Sequence, residues 1–145
     1  MAKIENIQQI TEEIFILQSP RINSGKKNNV FEFLKIVVNG DSIKDHLVIN
    51  ASLTKNKSGA LVYILTDARL ISLSVEESGE VESSSYKLDT MVGVSRKLDE
   101  DRIEVEVTFQ GNNAVGLRYP ISSNIITKFF QKIDQEQSEE NSDDA

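Results

Sequence analysis

Cysteine and tryptophan are absent from this 145-residue chain, proline occurs twice, and histidine occurs once. Without cysteine there is no disulfide framework, no thiolate zinc site and no thiol nucleophile. A single histidine, His46, rules out multi-histidine metal sites and leaves any Ser-His-Asp arrangement only one candidate base. Its neighbour Asp45 projects to the opposite face of a strand, so His46 reads as an ordinary surface or strand-start residue. No apolar run approaches the roughly 18–20 residues that span a bilayer. Lys3, Glu5, Glu12 and Glu13 interrupt any stretch of signal-peptide type. No GxGxxG or Walker-type glycine loop is present, and Gly93, Gly111 and Gly116 stand alone, as bulge or turn positions do. These absences set the expectation of a soluble, cytoplasmic, non-enzymatic chain with no catalytic residue, cofactor or metal.

The net charge of −7 is unevenly spread. Residues 135–145, QEQSEENSDDA, hold five acids and no Lys or Arg; the other 134 residues hold 18 acids against 16 basic residues, a net of −2. A segment this polar cannot bury apolar surface, so a disordered acidic tail is expected over 135–145. A near-neutral body with a negative end is a poor match for phosphate backbones, and direct nucleic-acid binding is not expected. Acidic runs at Glu76-Glu77, Glu80-x-Glu82 and Asp99-Glu100-Asp101 fall at turns and lack calcium-loop spacing, so they read as solvated acids. Glu104 and Glu106 read as solubility charges on one strand face.

Periodicity changes along the chain. Ile4, Ile7, Ile10, Ile14 and Leu17 recur at steps of three and four, an amphipathic helix over roughly residues 3–17. Such a stripe must be buried, on the chain's own barrel or on a partner or second subunit, so these five residues are candidate partner contacts. SPRINSGKKNN (residues 19–29) reads as a loop, and VFEFLKIVV (30–38) as a second helix, with Asn29 and Glu32 resembling a capping box and Gly40 a stop. From residue 47 the period becomes two. Strands are expected over LVINASLT, ALVYILT, RLISLSV, SSSYKL, MVGVSRKL, RIEVEVTF and AVGLRYPI, seven in about 75 residues. RIEVEVTF alternates most cleanly, with Ile103, Val105, Val107 and Phe109 inward. Ser83-Ser84-Ser85 reads as a polar edge or a modification site. A final helix carries Ile125, Ile126, Phe129, Phe130 and Ile133 on one face.

Seven antiparallel strands followed by one amphipathic helix resembles the bacterial pleckstrin-homology-like (PH-like) or GRAM-like domain. Residues Gly59 to Ile71, GALVYILTDARLI, are similar to that family's motif of a glycine-opened strand, a threonine turn, an arginine and two apolar residues. Thr66 and Asp67 can fix the reversal through their own backbone, and Arg69 can lay its stem on the sheet and reach carbonyls or a carboxylate. The resemblance spans roughly residues 47–134. It implies an α+β fold: a seven-stranded PH-like barrel or sandwich closed by a C-terminal helix. The division expected is residues 1–42 as an N-terminal helical extension, 43–134 as the PH-like domain and 135–145 as the tail.

For function, the resemblance implies a binding or assembly module acting through protein contacts, often with itself as a homo-oligomer. Two alternatives follow from charge. One is peripheral recognition of anionic membrane lipid through Lys26, Lys27, Lys55 and Lys57. The phosphoinositide site of eukaryotic PH domains resembles a Lys at the first turn followed by an Arg-x-Arg in the second strand, and here Lys55 and Lys57 flank the turn with no Arg-x-Arg after them. The other is an acidic competitor for a basic nucleic-acid-binding partner.

Overall fold

The computed structural model describes residues 4–18, 24–50, 59–76 and 79–143. Two helices come first, α1 (Ile4–Gln18) and α2 (Ser24–Val38). Four strands follow: β1 (Ile43–Asn50), β2 (Gly59–Thr66), β3 (Arg69–Glu76) and β4 (Val81–Lys87). A 3₁₀ turn at Leu88–Thr90 leads into β5 (Met91–Asp99), β6 (Arg102–Phe109), β7 (Asn113–Pro120) and a last helix, α3 (Asn124–Asp143). The strands form two sheets, β1-β2-β3-β4 and β5-β6-β7. The expected seven strands and closing helix are therefore present. The hydrogen-bonded barrel is not, because the ladder of the described residues stops at β4 and starts again at β5.

The chain divides into two compact units, Met1–Ser85 and Tyr86–Ala145. Both N-terminal helices fall in the first unit. The reason is visible in the first unit's core. Ile7, Ile10 and Ile14 of α1 and Val30, Leu34 and Val38 of α2 are buried in one cluster with Ala60, Val62 and Ile64 of β2 and Ile71, Leu73 and Val75 of β3. At about 1.5–3 kcal/mol for each large side chain removed from water, this cluster is the main stabilising feature of the unit. Both helices contribute to this core. β2 sits inside the sheet and is buried at every position but Leu61, which explains its nearly continuous apolar sequence.

Some boundaries differ from the sequence reading. α2 begins at Ser24, five residues before the anticipated Asn29 cap, and Asn29 lies exposed inside the helix. The polar GKKNN segment carries no apolar period, so it gave no helical signal. The stop at Gly40 is as expected: Asn39 and Gly40 take φ of 51° and 83°, and the Asn39 amide donates to the Lys35 carbonyl at 3.1 Å. β1 starts at Ile43 rather than Leu47, with a bulge between Ile43 and Asp45. In β3, Leu70 turns away from the Ile71, Leu73, Val75 face and is itself fully buried. β4 ends its sheet, and its four residues Glu82, Ser83, Ser84 and Ser85 are all exposed, so both faces of the strand meet solvent.

In the second unit, alternation in β6 is as read from Glu104 onward, with Ile103 only half-buried. Val105, Val107 and Phe109 are buried and Glu104 and Glu106 exposed. β7 alternates in step, with Val115, Leu117 and Tyr119 buried. β5 carries a bulge between Met91 and Gly93, where the lone glycine sits. α3 lies on this sheet, held by Tyr119 Oη and Thr127 Oγ1 at 3.1 Å and by Arg96 donating to Asp134 at 2.7 Å. Ile126, Phe129, Phe130 and Ile133 are buried beneath it, the two phenyl rings edge-to-face with centroids 5.4 Å apart. α3 continues to Asp143, through residues where a disordered tail was expected. Gln and Glu are good helix formers, and a helix already anchored by its apolar turns extends through them without a core of its own.

Candidate functional site

Three features of the first unit bear on function. The first is the β2–β3 turn. Thr66 is fully buried, and its hydroxyl oxygen accepts from the Ala68 and Arg69 amides at 3.1 and 2.8 Å. The hydroxyl's proton reaches Asp41 Oδ2 at 3.0 Å. Asp67 bonds back to Ser42, its amide donating to the Ser42 carbonyl at 3.0 Å. Arg69 donates through Nε to Asp41 at 2.8 Å and through Nη2 to the Val37 and Val38 carbonyls at 2.9 and 2.7 Å. Those carbonyls belong to the last turn of α2, where no intrahelical donor is available. The guanidinium therefore caps one element while its stem belongs to another. Thr66, Asp67 and Arg69 come together at this turn, and the result is an internal clasp.

The second feature is the helix pair. Ile7, Ile10 and Ile14 are committed to the chain's own core and are not available to a partner; of the five stripe residues only Ile4 and Leu17 remain exposed. Sequence reasoning missed two others, Ile16 and Ile36, which are 74% and 73% exposed. The signal was there: each lies two positions from a buried residue (Ile14 and Leu34, Val38), which places it on the far side of a helix. Between the helices runs a groove of about 560 Å³ lined by Gln8, Thr11, Glu12, Lys27, Asn28 and Phe31. Lys27 is ion-paired with Glu12 and stands 5.8 Å over the Phe15 ring, and Lys35 pairs with Glu32 at 3.2 Å. The stem of Lys26 lies against Gly79, where an added Cβ would meet its Cδ at 2.8 Å. Gly79 also takes a φ of 93°, a left-handed conformation that side-chain-bearing residues rarely adopt. Lys26 and Lys27 thus do not present a common cationic patch. Lys55 and Lys57 lie outside the described residues.

The third is His46. It is half-buried in the middle of β1, not at its start, and its Nε2 lies 2.5 Å from Glu13 Oε2 on α1. Asp45 accepts from the His46 backbone amide at 2.9 Å. The pair ties helix to sheet. Among the described residues, no group of three or more His, Cys, Asp or Glu comes together in a way that could hold a metal ion. No described helix is long and apolar enough to cross a membrane. Burial pushes the Tyr63 phenol up to about 12. No protein-family model matches this chain, and no curated protein matches it.

Proposed function

We propose that this chain is a binding or assembly module of PH-like architecture that acts through protein contacts, with a second copy of itself as the first partner to test. The order of four strands, three strands and a closing helix supports the architectural part of this reading. The choice of protein over anionic lipid rests on one observation, the pairing of five basic side chains among the described residues. Lys27, Lys35, Arg69, Arg96 and Arg118 each pair with a carboxylate of the same chain. Cations already paired add little to attraction by a phosphate surface. What the surface offers is aliphatic, with Ile16, Ile36, Val92, Leu98 and Ile125 all at least 60% exposed.

The test is light scattering across a wide concentration range, alongside sedimentation with phosphatidylcholine vesicles that do or do not contain phosphatidylserine. Mass rising with concentration, and no pelleting with either vesicle, is the expected result. Salt-sensitive pelleting with the anionic vesicles alone would overturn it in favour of lipid recognition.

A further inference from the structure

We infer that two copies of the chain join through β4, edge to edge and antiparallel, to make one continuous sheet across a two-fold axis. This rests on the assembly reading above and names its seam. β4 ends the four-stranded sheet, and its run Glu82–Ser85 is exposed on both faces, while Val81 and Tyr86 towards its ends are half-buried.

The other three strand edges carry features that resist pairing. β1 is bulged between Ile43 and Asp45, has charges at Lys44 and Asp45, and is engaged by Glu13 of α1 at His46. β5 is bulged between Met91 and Gly93 and carries adjacent Arg96 and Lys97. β7 ends in Pro120, with Gly116 and Arg118 before it. β4, VESSSYK, has neither proline nor glycine, and its only charges sit near its two ends.

The register follows from geometry. The Glu80 carbonyl accepts from the Glu76 amide at 2.9 Å, so residue 80 faces β3. Alternation along an antiparallel strand then turns positions 82, 84 and 86 toward β3. It turns the amides and carbonyls of 81, 83, 85 and 87 outward, the Lys87 carbonyl already accepting one bond from the Thr90 hydroxyl at 2.8 Å. A two-fold axis perpendicular to a sheet pairs residues of equal parity. The register that pairs all seven residues of β4 centres on Ser84. Ser83 then exchanges hydrogen bonds with Ser85 of the other copy, Ser84 faces its own counterpart, and Glu82 faces Tyr86. No like charges oppose each other, and the middle of the seam is a ladder of hydroxyls, which hydrogen-bond across strands. A seven-residue seam is small, so the dimer forms and dissociates with concentration.

Three substitutions test the seam by sedimentation velocity. Ser83→Pro removes an outward amide and leaves the ladder to β3 intact, and it is expected to abolish the dimer without lowering the melting temperature of the monomer. Ser84→Lys sets two cations face to face on the axis and should weaken association about five- to tenfold; mixing it with Ser84→Glu should restore a heterodimer. Because the chain has no cysteine, Ser84→Cys places two thiols at a non-hydrogen-bonded pair. That spacing suits a disulfide, so mild oxidation should give a covalent dimer, whereas Glu106→Cys should not. A dimer that survives Ser83→Pro and Ser84→Lys unchanged overturns the seam while leaving the assembly reading intact. A wild-type chain that stays monomeric at every concentration, with no cross-link formed by the Ser84→Cys variant, overturns the seam and removes self as the partner.

Discussion

Replacing Arg69 by Met keeps the stem on the sheet and deletes the head that joins β3 to the end of α2. Three strong bonds disappear, one to Asp41 and two to the Val37 and Val38 carbonyls, together with a long one from Nη1 to the exposed Ser85 hydroxyl at 3.4 Å. Hydrogen bonds to charged groups contribute about 1.5–3 kcal/mol each. The Arg69 side chain is 22% exposed, so water replaces part of what is lost. The expected destabilisation is therefore about 3 kcal/mol, well below the sum of the three. For a chain of this length that lowers Tm by roughly 6–12 °C, within a total stability of about 5–15 kcal/mol. The variant should still fold. Urea unfolding followed by far-ultraviolet circular dichroism measures the loss. Arg118→Met is the control: its partner Asp99 lies 3.5 Å away with both side chains more than half exposed, and such pairs are worth little. If the two variants lose the same amount, or Arg69→Met loses less than about 1 kcal/mol, the clasp is not what fixes this turn.

Three further outcomes follow from the same geometry. Thr66→Val keeps the shape but strands the Ala68 and Arg69 amides, and should cost about 2–3 kcal/mol by denaturant titration. Ile10→Ala empties a fully buried site shared by α1 and the sheet, and should cost about 2–5 kcal/mol in the same titration. Tyr63 ionises at about 10 when unfolded and near 12 when folded. The neutral phenol's advantage is thus complete below pH 10 and lost as pH climbs to 12, where the loss reaches roughly 2–3 kcal/mol. Tyr63→Phe should flatten the decline of melting temperature over that window, and an unchanged slope would contradict the assignment.

The elements that can be read from residues alone are those whose partner is implied by their own period. α1 announces its buried face through Ile7, Ile10 and Ile14, and β6 through Val105, Val107 and Phe109, because burial at every third or fourth position, or every second, leaves a local record. The β2–β3 turn is legible for another reason: Thr66 and Asp67 act on backbone atoms within a few residues, and Arg69 needs only carbonyls within reach of its stem. What stays hidden is decided at a distance. Polar residues 24–29 are helical because the turns that follow them are docked, and nothing in GKKNN encodes that docking. Lys27 looks free until Glu12 is seen beside it, and His46 looks superficial until Glu13 meets it across 33 positions. The open edge at β4 is equally invisible in VESSSYK, since polarity alone does not distinguish a strand end from a loop.

The first unit's core joins α1, which is complete by residue 18, to β3, which is complete only at residue 76. On a ribosome making the chain from its N-terminus, both helices emerge with their isoleucines and valines facing water. At a synthesis rate of about 5–20 residues per second, several seconds pass before β2 and β3 can cover them. Isolated 15-residue helices are marginal in water, so the segment spends that interval as a sticky, partly formed coil, the stage at which a chaperone or a neighbouring nascent chain has its best opportunity to bind.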